Sequence, residues 1–165
     1  MTIKNVIIKL ALHLTILIGT WHLGHASWIV SKAYAATILI NNAWQATFDN
    51  NEINKPWTWA DTWPVADITI PSIGLKEIVL SGDSGASLAF GPGLSYAGAS
   101  LDKEGVKLIS GHRDTHFKKL KNININDAIF INTPTKYRQY KVKDICVVDS
   151  QTYLIDADNE SYDLV

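Results

Sequence analysis

The segment "VADITIPSIGLKEIVL", residues 65–80, decides the fold class of this chain. Hydrophobic and polar residues alternate in "VADITI", so Ile68 and Ile70 share one face of an extended chain. Pro71 and Gly74 interrupt this pattern, and "KEIVL" resumes an apolar, strand-like run. The segment therefore predicts two β-strands joined by a short turn.

Further short strands are predicted along the C-terminal half of the chain. They are "VKLIS", "AIFIN", "YRQYKVKDICVVD" and "SYDLV", at 106–110, 128–132, 137–149 and 161–165. A long glycine-rich loop with one short helical turn is expected at 81–105. Six short strands with little helix after residue 50 predict a small sandwich or barrel. Because sheets must cover their edges and the sixth strand is short, we expect the sequence to be cut short at its C-terminus.

Composition limits the function classes. The chain has 165 residues, 47% hydrophobic and 19% charged, with a formal net charge of −1. This length fits one domain plus an additional element, and the balanced charge predicts no nucleic-acid partner. Cys146 is the single cysteine, which excludes an intrachain disulfide and a cysteine-based zinc knuckle.

The N-terminal residues resemble a membrane segment. Lys4 and Lys9 precede a mostly apolar run over residues 10–23, and Trp21 and Trp28 suit a membrane interface. A span needs about 20 apolar residues, which this run reaches if Lys9 extends its charge outward. The segment therefore predicts a helix that crosses a membrane.

We interpret residues 1–29 as a retained signal anchor, with the N-terminus cytoplasmic and the rest of the chain exported. Two alternatives are a signal peptide cleaved at "AYA", residues 33–35, and a buried amphipathic helix of a soluble protein. Residues 30–55 are predicted to be a juxtamembrane helix and linker, because "NNEINKPW" breaks an alanine-rich, proline-free run. The β domain is then 56–165.

The stretch "SGHRDTHF", residues 110–117, holds the strongest cluster of reactive side chains. His112 and His116 are four apart, a spacing that could present two nitrogen donors to a metal from a helix. A catalytic zinc needs a third protein ligand that the sequence does not supply, so we predict no metal and no cofactor. On pattern alone, His112 could equally be a general acid–base or a structural histidine that caps a backbone carbonyl.

Two side chains are candidate nucleophiles. Ser84 lies in "GDSG", which resembles the nucleophile region of trypsin-like serine proteases, although here the serine precedes the histidine and turn chemistry also explains the tetrapeptide. Cys146 with His112 would make a thiol–imidazole pair. Alternation in "YKVKDICVVD" groups Cys146 with Tyr140 and Val142, which predicts a small core residue instead.

Three stretches together resemble the sortases, the cysteine transpeptidases of the cell envelope. They are "PWTWADTWPVADITIPSIGL", "VLSGDSGASLAFGPG" and "LISGHRDTHFKKL", at 56–75, 79–93 and 108–120. The tryptophan-rich block joined to "SGHRDTHF" is similar to the proteobacterial subgroup, the class GN sortases. The resemblance implies a mainly β fold: a closed, eight-stranded β-barrel, here incomplete at its C-terminus, behind an N-terminal transmembrane helix.

The resemblance also implies roles for individual residues. His112 matches the family's catalytic histidine, and Arg113 and Asp114 beside it are candidate substrate-binding residues, or else only a surface salt bridge. "SYDLV" matches the start of the strand that carries the family's nucleophilic cysteine. That cysteine and an arginine on the next strand are expected beyond Val165, so this fragment is expected to be inactive.

The implied reaction is cleavage of an LPXTG-like sorting signal of an envelope protein between its Thr and Gly, with transfer of the acyl group to an amine. The implied location is the inner membrane, single-pass, with the catalytic domain in the periplasm. Two other functions stay open: a non-catalytic, membrane-anchored binding module, and a periplasmic serine or metal hydrolase that uses Ser84 or the pair His112 and His116.

Overall fold

The computed structural model describes residues 3–147 and 163–165. Within these residues, two α-helices and six β-strands follow one another: α1 Ile3–Asn50, β1 Pro64–Ile70, β2 Leu75–Ser81, α2 Gly85–Leu88, β3 Gly93–Leu94, β4 Ile109–Ser110, β5 Ala128–Asn132 and β6 Tyr137–Lys141. Short 3-10 helices lie at Pro71–Ile73 and Lys118–Asn122. The chain divides into two compact units, residues 1–37 and 38–165.

The six strands form one mixed sheet in the order β4-β3-β2-β1-β5-β6. β2 and β3 pair in parallel, and the other neighbours pair antiparallel. The sheet curls into a half-barrel, so the predicted mainly β class with an apolar N-terminal helix is confirmed. Closure into a barrel by further strands stays a prediction.

The alternation predicted for β1 is present, with every second side chain buried from Pro64 to Ile70. Three of them, Ala66, Ile68 and Ile70, belong to a core cluster that also contains Leu75, Val79, Leu101 and Ile131. Ile131 of β5 pairs directly with Ile68 of β1, so two central strands contribute to the same cluster. Burying side chains of this size stabilises the fold by about 1.5–3 kcal/mol each.

The glycine-rich loop contains more structure than its composition predicts. It holds α2, the expected helical turn, and also β3, which sequence reasoning missed because a two-residue strand has no detectable alternation. The predicted strand at 106–110 is shorter, with β4 limited to Ile109–Ser110. Lys107 additionally forms an isolated parallel bridge with Leu164, within the predicted final strand.

The prediction for Cys146 was wrong. The strand predicted at 137–149 ends at Lys141, and Cys146 is exposed. Alternation fixes the direction of a side chain only while the chain stays paired in a sheet, and residues 143–147 lie outside β6. Residues 148–149 and 161–162 of the predicted strands lie outside the described residues.

Helix α1 is continuous from Ile3 to Asn50. Because the helix does not break at residue 29, it does not mark the boundary predicted there, and the predicted domain boundaries stay predictions. It is long and apolar enough to cross a membrane, and its most apolar 18-residue window has a mean hydropathy of 1.7 with no part of it buried. Within residues 38–50, the buried side chains are Ile40, Ala43, Trp44 and Thr47. Their spacing of three to four residues puts them on one face of the helix.

Candidate active site

His112 lies just after β4, where the chain leaves the sheet. Its backbone carbonyl accepts hydrogen bonds from the amides of Thr115 at 3.3 Å and Phe117 at 3.1 Å, which closes a turn over residues 112–117. The side chain is exposed, and its imidazole hydrogen-bonds to no residue that the structure describes. The ring therefore does not cap a carbonyl in the described part of the chain, and it is open to a substrate.

Arg113 and Asp114 point into solvent from the same turn. The Arg113 Nε lies 3.7 Å from the Asp114 Oδ1, and the two side chains are 89% and 90% exposed. An ion pair this exposed contributes little to stability. Both charges are therefore available to a ligand, and their assignment to substrate binding stays a prediction.

His116 contacts β2 across the sheet surface. Its Nδ1 lies 3.3 Å from Glu77 Oε2, and the two side chains are 23% and 31% exposed. The residues 111–117 form a turn rather than a helix, so the i, i+4 spacing does not have the geometry expected of a helical metal site. Within 3–147 and 163–165, no group of three or more His, Cys, Asp or Glu side chains could hold a metal ion.

Gly111 allows Phe117 to pack against the backbone immediately before His112. A Cβ atom placed on Gly111 would lie 2.5 Å from Phe117 Cδ2. Phe117 in turn packs against the buried core cluster. The aromatic ring thus fixes the far end of the turn to the core, as expected for a packing residue.

The "GDSG" loop adjoins the histidine segment through Asp83 rather than Ser84. The Ser110 hydroxyl donates to Asp83 Oδ2 at 3.4 Å. Ser84 is the N-cap of α2, where its hydroxyl accepts a hydrogen bond from the Ser87 amide at 3.2 Å. The described contacts of Ser84 are therefore those of a helix cap.

Residues 163–165 run beside the strand that leads to His112. The Lys107 amide donates to the Asp163 carbonyl at 2.9 Å, and the Val165 amide donates to the Lys107 carbonyl at 2.8 Å. The Ile109 amide donates to the Val165 carbonyl at 2.8 Å. This pairing is parallel, so both segments run in the same direction, toward the end of the sheet at which His112 lies.

Comparisons with known proteins agree on one family. A family model described as Sortase domain matches residues 68–165, whereas no curated protein matches significantly in sequence. The fold is similar to a sortase D5 transpeptidase from Clostridium perfringens, with a TM-score of 0.60 and 20% identity over 72% of this chain and 78% of that chain.

Two other solved structures have higher sequence identity. Sortase A from Corynebacterium diphtheriae is 28% identical with a TM-score of 0.51, over 61% of this chain and 51% of that chain. A variant of sortase E from Streptomyces avermitilis is 25% identical with a TM-score of 0.52, over 59% of this chain and 71% of that chain.

Proposed function

This chain belongs to the sortase family, and from that premise we propose that it is a membrane-anchored cysteine transpeptidase. Its substrate is an LPXTG-like sorting signal of an envelope protein, cleaved between Thr and Gly. The acyl group passes to an amine acceptor. Helix α1 is the single-pass anchor in the inner membrane, and the sheet domain faces the periplasm.

The observation that carries this proposal is the parallel pairing of residues 163–165 with Lys107 and Ile109. A strand continued in the same register comes level with His112 about four residues past Val165. From the family resemblance, the nucleophilic cysteine is expected at the end of this strand. A thiol there and the exposed imidazole of His112 would be neighbours, which is the arrangement that thiol–imidazole catalysis requires.

The proposed chemistry has two steps. The cysteine thiolate attacks the Thr carbonyl carbon, an S–C bond forms, and the Thr–Gly C–N bond breaks as the His112 imidazolium gives its proton to the leaving amine. The amine acceptor then attacks the thioester carbonyl, His112 takes the proton, and the thiolate leaves. The arginine expected on the following strand would stabilise the oxyanion in both steps.

The anchor assignment is supported by the N-terminal half of α1. The helix passes the length and hydropathy criteria for a membrane span, and its apolar window is not buried. Lys4 and Lys9 lie near the N-terminal end of α1, before the mostly apolar run over residues 10–23. Positive charges are enriched on the cytoplasmic side of membrane helices, and this supports the proposal that the sheet domain lies on the opposite, periplasmic side.

The first test is the reading frame beyond Val165. A Thr-Cys pair about four residues on, followed by an arginine on the next strand, is expected. A stop codon at that point would favour the non-catalytic binding module. Exposed Cys146 would then be the only thiol available to the protein.

The second test is catalysis by the protein with its full reading frame, in membranes, with a fluorogenic LPXTG-like peptide and an amine. His112→Ala is expected to reduce transfer by about a hundredfold or more, because proton transfer by a positioned side chain contributes about 10²–10⁴-fold. His25→Ala, in α1, is the matched histidine control. Activity that survives His112→Ala would contradict the transpeptidase. Activity that is abolished by Ser84→Ala or by a chelator would contradict it and support a hydrolase.

A further inference from the structure

Two acidic side chains from β2 and the loop after it hold the turn that carries His112. Glu77, on β2, contacts His116 at 3.3 Å near one end of the turn. Asp83, just beyond β2, accepts a hydrogen bond from Ser110 at 3.4 Å at the other end. Glu77 and His116 are 39 residues apart in sequence. These two contacts bracket residues 111–115.

The contact between Glu77 and His116 joins two half-buried side chains. Nδ1 of His116 lies 3.3 Å from Oε2 of Glu77, and the two side chains are 23% and 31% exposed. A ring N–H that donates to a carboxylate makes a charge-assisted hydrogen bond, stronger than a neutral one. The exposed pair of Arg113 and Asp114 on the same turn has no such shielding.

Glu77 is also held on a rigid support. Glu77 lies opposite Ile68 in the ladder that pairs β2 with β1, whereas β3 pairs with β2 further on, at Leu80 and Ser81. Ile68 belongs to the buried core cluster. A side chain on a paired strand beside the core thus holds a turn that otherwise closes through two hydrogen bonds to the His112 carbonyl.

We propose that Glu77 and His116 are positioning residues for His112. Their contact keeps the turn closed, so the His112 ring is held at the end of β4. The inference rests on the proposed function, in which His112 exchanges protons with the substrate. Catalysis depends steeply on such placement, since an error of about 1 Å can cost about a hundredfold in rate.

The first readout is amide hydrogen exchange, which needs no activity. The amides of Thr115 and Phe117 both donate to the His112 carbonyl and report closure of the turn. Glu77→Ala is expected to speed their exchange about fivefold, the effect of losing one net hydrogen bond. The amides of Leu80 and Ser81, bonded to the carbonyls of Pro92 and Trp63, are expected to keep their rates.

Two variants separate the contact from general damage to β2. Glu77→Gln keeps an oxygen that accepts from the His116 ring but loses the carboxylate charge, so its exchange rates are expected to lie between those of the parent protein and Glu77→Ala. Lys76→Ala changes the exposed neighbour on the same strand and is expected to leave Thr115 and Phe117 unaffected. Unchanged exchange at Thr115 and Phe117 in Glu77→Ala would overturn the proposal, as would equal acceleration at Leu80 and Ser81.

The second readout is the kinetics of peptide transfer. Glu77→Ala and His116→Ala are expected to lower kcat at least about tenfold with KM little changed. His116→Asn, whose amide N–H₂ replaces Nδ1–H, is expected to recover most of the loss. An unchanged kcat in Glu77→Ala would overturn positioning. If the parent protein transfers no peptide but Glu77→Ala still speeds exchange at Thr115 and Phe117, the transpeptidase is overturned and the structural contact is established.

Discussion

Gly111 is the residue whose substitution would most directly disturb the backbone next to His112. A Cβ at this position would lie 2.5–3.0 Å from three atoms of the Phe117 ring, and Phe117 packs against the core. Gly111→Ala is therefore expected to lower the free energy of unfolding by about 1–3 kcal/mol through overpacking. Urea titration of the parent and variant measures the change.

Gly85 provides the matched control for Gly111. It is the first residue of α2, and a Cβ there would meet nothing within 4 Å. Neither glycine needs a positive φ, so Gly85→Ala adds a methyl group without steric or backbone cost. If the two alanine variants unfold at the same urea concentration, the close packing of Phe117 on Gly111 is refuted.

Local motifs allowed individual residues to be predicted from the sequence, whereas contacts between distant residues could not be predicted. His112 could be proposed from sequence because the residues that flank it form a recognisable stretch. Glu77 could not, because its partner His116 is 39 positions away and a single glutamate in a strand has no distinguishing pattern. Cys146 was placed in the core by an alternation that ends with β6 at Lys141.

At the scale of elements, the length of a strand decided how well it could be predicted. β1 has seven residues and the full alternation of a half-buried strand, and β5 matches its predicted range. β3 and β4 have two residues each, too few for any period to show. Their places in the sheet follow from pairing with β2 and with each other, which is tertiary information.

The C-terminal part of α1 offers a test of element packing. Trp44 is 5% exposed and lies on the buried face, whereas its ring neighbour Phe48 is 43% exposed, with centroids 5.7 Å apart. Trp44→Ala is expected to lower the free energy of unfolding by about 3–5 kcal/mol, because it leaves a large cavity.

Phe48→Ala serves as the aromatic control and is expected to cost less than half as much as Trp44→Ala, since much of the Phe48 ring is already in solvent. Urea unfolding followed by circular dichroism compares the two variants. Equal losses would contradict the deeper burial of Trp44 on this face of α1.

At the scale of the whole molecule, α1 contributes residues to both compact units. Residues 1–37 form one compact unit, and the apolar window of the helix has no part buried. Leu10 and Leu17 are 72% and 67% exposed. If this apolar surface lay in water, its exposure would cost about 25 cal/mol per Å² of free energy. Residues 38–50 belong instead to the unit that contains the sheet.

Two deletions are expected to separate these roles. Removing residues 2–37 takes away the apolar unit, so the protein is expected to move from the membrane pellet to the supernatant while its urea midpoint stays within error. Removing residues 2–50 also takes away Ile40, Ala43, Trp44 and Thr47, whose side chains are buried, so the midpoint is expected to fall sharply. Sedimentation after alkaline extraction and urea titration measure the two effects independently. If the protein without residues 2–37 stays in the pellet, the anchor is contradicted. If the protein without residues 2–50 keeps its urea midpoint, the packing of residues 38–50 within the unit 38–165 is contradicted.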